Sequence, residues 1–537
     1  MQWPHLAVDV LPLLTTISPL IGVATILLMW RWSTSLVWPM AVSNATITLL
    51  LTATTVWLLP FEPETPVTSR TRGEPGITWL AESRVAGDQP STTTPRGFNL
   101  RLAFGHEGLS AWPALLLSLT VWGVLWCPGR IEASLFPAYC LGLMSSQAFL
   151  LAAVYSTDAV ACLIFVELAA VPLYLLIGMS GDEGRRTIAG NWWLWQFLGC
   201  STSLLGVTLL AVSQPWMISD LVIHRGAIQF DESMLAENLR QALARSETAL
   251  HVWNDLGQWG AALVMAAFLI RLPVFPFHEW YRAVLFTAPC GIAAVIAVAF
   301  PAIAFSSWIR LGSPVFGQSN NVLAGILAML AMLGALQSSL TALSQSDVKR
   351  LVASMSCAML CLACLGLSFQ TRDGHRGAWL LILAQSLAVP LGMLLVQILE
   401  SRCGTCDLDQ LPALKTTSPR LASALALLFL AWAGIPAASG FSALYLEHSN
   451  PVGAKLWLIL GESAALIALA SASIRIFARL MTSSSTAASP PVNDVPVVDL
   501  SSSEAVVLSP FVTLLVLLNV APEVILNVCE GVFRSKG

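Results

Sequence analysis

This sequence carries few charged residues. Only 11% of its 537 residues are Asp, Glu, Lys or Arg, whereas 56% are hydrophobic. A soluble domain carries roughly 25% charged residues, so this balance excludes a soluble protein and indicates a chain with many membrane-spanning segments. The sequence also lacks a basic tract, which argues against nucleic acid as a partner.

The patterns that signal disulfide, metal or redox chemistry are missing as well. The 11 cysteines lie mostly in apolar stretches, where a thiol behaves as a small hydrophobic group, and they predict no disulfide framework. Cys403 and Cys406 have CxxC spacing, but the second pair needed for a zinc site is absent. We therefore favour two reduced loop thiols over a metal or redox site, and we expect no cofactor, since no haem, iron–sulfur or flavin motif is visible.

About fourteen apolar stretches are long enough to cross roughly 30 Å of hydrocarbon. The N-terminus has neither a basic region nor a small-residue cleavage site, so we expect the first stretch to remain in the protein. The apolar stretches together predict an all-α membrane protein with about fourteen helices. The stretches are 9–30, 36–59, 108–127, 134–155, 157–179, 188–213, 256–275, 290–309, 320–343, 350–369, 377–400, 420–446, 452–478 and 505–526.

The distribution of basic residues between the loops predicts the orientation. With the N-terminus outside, the short outer loops hold little beyond Arg310, Arg372, Arg376 and Lys455. By the positive-inside rule, both termini then lie outside. Two long polar segments, 62–101 and 214–251, would also lie outside, and residues 232–253 read as an amphipathic surface helix. The cytoplasmic side would hold Arg31, Arg130, Arg185, Arg186, Arg282, Lys349, Arg350, Arg402, Lys415, Arg420, Arg475 and Arg479.

The stretch 266–289 predicts a broken membrane helix with a cation at the break. Arg271 is followed by Pro273 and Pro276, and each proline removes a backbone hydrogen bond from a helix. In lipid, such a break is tolerated only where protein or a water-filled cavity surrounds it. A guanidinium at that depth costs on the order of several kcal/mol and often marks an ion path. The alternative is an arginine that extends to the cytoplasmic end of its helix.

Glu167 lies in the middle of another apolar stretch, five residues before Pro172. An unpaired carboxylate in hydrocarbon would be protonated, so a functional Glu167 needs a cation or water beside it. Arg271 is the candidate partner, although a guanidinium can pair with an ion but cannot release a proton. A structural hydrogen bond is the alternative role for Glu167. Gln385 is a buried amide that could hold water or join two helices.

A second break is predicted at 433–440, around Pro436. Two proline-interrupted segments in corresponding halves indicate a transporter built from repeats. Between them, Asp347, Lys349 and Arg350 begin a helix on the predicted cytoplasmic side. Asp347 suits the positive end of the helix dipole, so we expect these three residues to anchor the interface.

Taken together, these motifs resemble the proton-translocating membrane subunits of NADH-quinone oxidoreductase (respiratory complex I), nearest to chain M, the counterpart of mitochondrial subunit 4. The resemblance is carried by residues 161–180, 263–290 and 341–360. It implies two inverted five-helix repeats, each with one broken helix, and a row of buried charges that relays protons. The implied divisions are N-terminal helices 1–133 with an outer loop 61–106, repeats 134–310 and 320–480, a cytoplasmic linker 481–504 and a C-terminal helix 505–537.

The resemblance also assigns roles to single positions. Its proton-path candidates are Glu167, Arg271 in place of a lysine, His278, Gln385 and Glu447. Its structural candidates are Pro172, Pro273, Pro289, Asp347, Lys349, Arg350 and Pro436. The chain departs from the family where ionisable residues are expected, with Ala302, Met359, Gln385 and Leu444 at those positions.

The function implied is that of a membrane subunit that couples quinone reduction to proton translocation and carries no redox centre of its own. Its partners would be other membrane subunits of the complex, the lipid bilayer and, indirectly, peripheral redox subunits. Its place would be the bacterial inner membrane. Two alternatives stay open: a subunit of a cation/proton antiporter, membrane-bound hydrogenase or inorganic-carbon uptake complex, and a scaffold that has lost the proton relay.

Overall fold

The computed structural model describes most of the chain as a bundle of antiparallel helices. The described residues are 3–59, 98–99, 104–105, 107–129, 131–179, 183–217, 228–232, 235–236, 239, 256–316, 322–408, 410–411, 414–432, 456–481 and 499–526. The longer helices are α1 Trp3–Trp30, α2 Val37–Leu58, α3 Gly108–Trp126, α4 Phe136–Tyr155, α5 Ala159–Gly178, α6 Glu183–Met217, α7 Gln258–Arg271, α8 Glu279–Thr287, α9 Cys290–Ser307, α10 Val322–Ser344, α11 Val348–Ser368, α12 Arg372–Cys403, α13 Pro419–Trp432, α14 Leu456–Met481 and α15 Ser502–Val520.

Within these residues, eleven helices are long and apolar enough to cross a membrane, and three shorter apolar helices cover 258–271, 419–432 and 502–518. The predicted all-α membrane fold is therefore confirmed. The central helices α9, α11 and α12 are almost wholly buried. The peripheral helices expose apolar side chains such as Ile21, Leu50 and Ile467, as expected for helices that face lipid.

Backbone contacts gather the helix ends into two faces. On the first, called the Arg310 face, Phe104 pairs with Ser156 and Asp158 with Asp231 in isolated β-bridges. On the opposite one, called the Lys349 face, the Val348 N–H donates to the Cys406 carbonyl at 2.9 Å. The predicted orientation places the Arg310 face outside. A two-residue parallel strand pair, Phe98–Asn99 with Ile228–Gln229, also belongs to the Arg310 face.

The first predicted break is present, but it begins earlier than the predicted span 256–275. Helix α7 ends at Arg271 and α8 begins at Glu279, because Pro273 cannot donate the next helical hydrogen bond. The Trp280 indole N–H donates to the Ile270 carbonyl at 3.0 Å, which satisfies one of the orphan carbonyls at the end of α7. Residues 271–274 at the start of the break are buried in protein, whereas Pro276 is exposed; the buried part meets the condition for a break at membrane depth.

The structure also bears on the predictions made for Arg310 and for the surface helix at 232–253. Arg310 was expected in a short outer loop, but it lies in a π-helical turn, Trp308–Gly312, and is only 7% exposed. The reason is that buried carboxylates surround it, as described below. In the predicted surface helix, Glu232, Leu235, Ala236 and Leu239 are helical and buried. The second break, with Pro436, Leu444 and Glu447, lies outside the described residues, and the division into repeats stays a prediction.

Candidate functional site

Arg271 is the buried cation at the end of α7. Its side chain is 6% exposed, and its Nη2 donates to Cys200 Sγ of α6 at 3.1 Å. Gly199 makes room for it, because a Cβ at that position would lie 3.1 Å from Arg271 Cγ. The negative end of the α7 dipole also favours a cation here. Arg271 therefore does not extend to the edge of the bundle but is held inside it.

Glu167 of α5 lies near the same thiol. The Glu167 carboxyl and the Arg271 guanidinium both interact electrostatically with Cys200. Among the described residues, no ion pair within 4.0 Å joins Glu167 to Arg271, and Glu167 Oε1 has no hydrogen-bond partner. The structure thus brings Cys200 close to both residues predicted as a charged pair.

Gln196 is a member of this site that the sequence reading missed. It is fully buried on α6, four residues before Cys200 and so on the same helix face. In the part of the chain described here, neither of its amide atoms has a hydrogen-bond partner. The sequence does carry a signal for it, because Gln196 is an amide inside the apolar stretch 188–213, just as Gln385 is an amide inside the stretch 377–400.

A small cavity of about 30 Å³ lies beside Arg271, between α5, α6, α7 and the end of α9. Its polar lining residues include Arg271, Ser203, Ser307 and Glu232. A cavity needs about 10–15 Å³ of such volume to hold one water molecule. The space between Arg271 and Glu232 can therefore take one or two waters with polar partners on both sides.

The remaining proton-path candidates are buried elsewhere. His278 lies in the break, its Nε2 is 3.8 Å from Glu279 Oε1, and its ring packs on Phe275. Gln385 is buried on α12, and its Oε1 finds no hydrogen-bond partner among the residues described. Ala302 and Met359 are each 1% exposed. Buried apolar side chains therefore occupy two of the positions where the resemblance implies ionisable groups.

Asp347, Lys349 and Arg350 anchor α11 at the Lys349 face. The Asp347 carboxylate caps α11 by accepting from the Arg350 N–H at 3.0 Å. Lys349 Nζ donates to the Ala288 carbonyl at 2.7 Å, next to Pro289 at the start of α9. The Arg350 guanidinium lies 4.1 Å from the centre of the Phe286 ring, a cation–π distance. These contacts fix the junction between α8, α9 and α11.

The CxxC pair lies close to this junction. Cys403 and Cys406 are free thiols, and no group of three His, Cys, Asp or Glu side chains arranged for a metal ion occurs in the described part of the chain. Burial raises the pKa of the Cys406 thiol to about 12. A neutral thiol is a poor nucleophile and metal ligand, which fits a reduced loop thiol.

A second charged cluster, which the sequence reading did not foresee, lies on the Arg310 face. Arg310 Nε is 3.5 Å from Glu107 Oε2, and its Nη1 is 3.8 Å from Glu232 Oε2. Nη1 also donates to the Ser156 carbonyl at 2.9 Å. One cation is therefore shared by two carboxylates that lie far apart in the chain.

The sequence is similar to a known protein family and to known proteins. Residues 156–468 match the family described as NADH:quinone oxidoreductase/Mrp antiporter, TM. The NADH-quinone oxidoreductase subunit 13 of Thermus thermophilus is 28% identical over 387 residues, which cover 71% of this chain and 75% of that protein. The NADH-quinone oxidoreductase subunit M of Rickettsia bellii is 25% identical over 348 residues, covering 64% of this chain and 65% of that one.

Two solved structures share the fold. A chain of respiratory complex I from Thermus thermophilus with bound NADH superposes with a TM-score of 0.74 at 23% identity, covering 98% of this chain and 100% of that one. A chain of the membrane-bound sulfane sulfur reductase, an archaeal respiratory membrane complex, also gives 0.74, at 16% identity, with 100% and 98% covered. At these identities the likeness concerns the fold alone.

Proposed function

We propose a function on one premise: this chain belongs to the NADH:quinone oxidoreductase/Mrp antiporter transmembrane family. The resemblance drawn from the sequence motifs is thereby confirmed. On this basis the chain is a membrane subunit of an NADH-quinone oxidoreductase-like complex, and its role is to translocate protons when quinone is reduced elsewhere in that complex. It acts as a conductor of protons and not as a site of electron transfer.

The observation that supports this role most directly is the arrangement of Glu167, Cys200 and Arg271 beside a cavity. A guanidinium keeps its proton in any protein site, so Arg271 serves as a fixed positive charge. Glu167 is then the group that gains and loses a proton.

Buried amides support a path where ionisable side chains are missing. Gln196 and Gln385 each have at least one amide atom without a partner among the described residues. An amide can both donate to and accept from water, and buried water normally bonds to such atoms. The proposed path is therefore a water chain lined by amides, with Arg271 and Glu167 as its charged members, and it does not require a lysine at Ala302.

The membrane setting follows from the same premise. The helices span a membrane, and relatives of the chain are subunits of multi-subunit respiratory complexes. We propose that it packs against other membrane subunits of such a complex, that peripheral redox subunits act on it indirectly, and that it lies in the bacterial inner membrane with both termini outside.

Glu167→Gln tests the proposal in inverted vesicles that hold the assembled complex. Proton uptake during quinone-linked NADH oxidation is expected to fall about tenfold or more, since an amide cannot take part in acid–base transfer. The matched control is Glu132→Gln, because Glu132 is exposed and its carboxylate accepts from the nearby Ser134 hydroxyl at 2.7 Å, away from the proton-path candidates. The control should pump as the wild type does. Unchanged pumping in Glu167→Gln, with assembly intact, would favour the scaffold alternative.

The antiporter alternative has one specific support, namely that the matched family includes Mrp antiporters. It shares the helices and the Arg271 site, so the driving force must distinguish it. In the same vesicles without NADH, an imposed sodium gradient should move no protons if the first function is right. Sodium-driven proton movement that Glu167→Gln abolishes would establish the antiporter instead.

A further inference from the structure

We infer that Glu232 is a proton-accepting group at the Arg310 face, reached from Arg271 through the cavity between α5, α6, α7 and α9. This inference rests on the proposed function and adds a place where the proton leaves the buried path. It concerns a residue from the outer polar segment that neither the sequence motifs nor the resemblance singled out. Arg310 acts as the positioning residue that holds Glu232 at the end of the cavity, and Glu107 is a second, more exposed neighbour of Arg310.

The charge balance of the cluster supports this role. Arg310 faces two carboxylates, Glu107 at 3.5 Å and Glu232 at 3.8 Å. It also donates to the Ser156 carbonyl at 2.9 Å and toward Ser110 Oγ at 3.4 Å. One positive charge cannot fully compensate two buried negative charges, so the more buried acid is the better site for a proton.

Burial distinguishes the two acids. The Glu232 side chain is 3% exposed, whereas that of Glu107 is 20% exposed. Glu232 lines the cavity, and Glu107 does not. Glu232 is thus the member on the protein side of Arg310, and Glu107 is the member on the solvent side.

The cavity supplies the connection to the deeper site. Arg271, Ser203, Ser307 and Glu232 all line it. A water molecule in this space can give a proton to a Glu232 carboxylate oxygen and be reprotonated from the Glu167 side. The protonated Glu232 then loses its proton to solvent water near Glu107. No other reactant is needed, because one proton enters and one leaves.

The electrostatic surroundings are compatible with both protonation states. Burial raises the pKa of the Glu232 carboxyl to about 7. Arg310 and Ser307 at the end of α9 lower that pKa, while Asp231 beside it and Asp158 at the start of α5 raise it. Cys162 of α5 also faces Glu232, and Glu107 acts through Arg310. A group with a pKa near the operating pH transfers protons efficiently in both directions.

The experiment compares Glu232→Gln with Glu107→Gln, since each removes one carboxylate from Arg310 and only the first changes the cavity. In the assembled complex, Glu232→Gln is expected to reduce NADH-driven proton uptake about tenfold or more. Infrared difference spectra recorded over pH should also lose a carboxyl that titrates near neutrality. Glu107→Gln should keep uptake within about twofold, and the same carboxyl should titrate at lower pH, because a negative neighbour has gone.

Several results would overturn the inference. Equal loss of uptake in both variants would mean that only the pairing of Arg310 matters. Normal uptake in Glu232→Gln alongside lost uptake in Glu167→Gln would reject Glu232 and keep the proposed function. Normal uptake in both Glu167→Gln and Glu232→Gln would reject the two together.

A second variant covers the case in which Glu232→Gln does not assemble. Ala304 lines the cavity and is buried, so Ala304→Val adds two methyl groups there and leaves every charge in place. Uptake is expected to fall severalfold as the water path narrows. Wild-type uptake in the assembled Ala304→Val complex would contradict the inference.

Discussion

Arg271 and Arg310 are buried to the same extent, at 6% and 7% exposed, but they are held by different partners. Arg310 lies within 4.0 Å of two carboxylates and donates to a backbone carbonyl. Arg271 donates to a thiol, and Glu167 reaches it only through electrostatic interaction. An arginine enclosed by carboxylates holds the structure together, whereas one with weak partners leaves its charge available to an ion or to water.

The largest effect is expected from Arg310→Met. This change removes the cation and leaves Glu107 and Glu232 as neighbouring carboxylates without their partner. Breaking a buried ion pair in this way costs about 3–5 kcal/mol. The yield of assembled complex and its thermal unfolding midpoint should both fall clearly. A variant that assembles with the wild-type midpoint would show that Arg310 is not the anchor described here.

Arg271→Met should lower proton uptake strongly and stability only a little, whereas Arg310→Met lowers stability most. It breaks no direct carboxylate pair among the described residues, so the thermal midpoint should fall less than in Arg310→Met. Proton uptake in inverted vesicles should fall about tenfold or more, because the fixed charge beside Glu167 is lost. If Arg271→Met pumps normally, the contrast between the two arginines has no functional meaning.

Arg271→Lys is the matched control for that variant. It keeps a positive charge and introduces the lysine that the resemblance implies at this position. Uptake should be retained, but it should decline at alkaline pH, because a buried ammonium can lose its proton and a guanidinium cannot. A pH profile identical to that of the wild type would mean that this charge does not shape the path.

The smallest effect is expected at the Asp499 carboxylate, which backbone N–H groups hold at the start of α13. It accepts from the N–H groups of Arg420 and Leu421 at the start of α13 and from that of Leu500. Partial burial raises the pKa of Asp499, but the backbone hydrogen bonds, led by that from Leu500, outweigh burial and hold this pKa below its usual range. Its stabilisation is therefore present above the unfolded-state pKa, about 3.9, and is lost as pH falls through the lower folded-state pKa.

Asp499→Asn tests this expectation. At pH 7 the substitution should cost less than about 1 kcal/mol, the range of an exposed charge at a helix N-terminus. The thermal midpoints of the two proteins should converge as pH approaches about 3, since the wild-type carboxyl is then being protonated. A midpoint difference that stays constant from pH 7 to pH 3 would show that the charge of Asp499 contributes nothing.

The parts of the fold that the sequence predicted are those that depend on nearby residues. Helix α7 ends at Arg271 because Pro273, two residues later, lacks an N–H. Asp347 caps α11 because a short acidic side chain accepts the free N–H groups of a first turn. The spans follow from runs of apolar residues. Each of these causes acts within a few residues along the chain, so composition and spacing reveal it.

The parts that the sequence did not predict depend on residues far apart in the chain. Arg310 was assigned to a loop because it follows an apolar run, yet its hydrogen bonds reach Ser156 and Ser110, 154 and 200 residues away. Glu232 was read as part of a surface helix, although its side chain is buried against the end of α9. Cys200 had no distinguishing pattern, and its place between Glu167 and Arg271 is set by helix packing.

By itself the sequence determined that this chain crosses the membrane many times, breaks a helix beside Arg271 and belongs among the proton-translocating subunits it resembles. These properties follow from hydrophobicity, proline chemistry and motif spacing. Only the tertiary structure decided which buried charges have partners. Pairing depends on distances of a few ångströms between helices, because a charge in a low-dielectric interior interacts strongly with whatever lies beside it. That is why two arginines buried to the same extent became an anchor in one place and an available charge in the other.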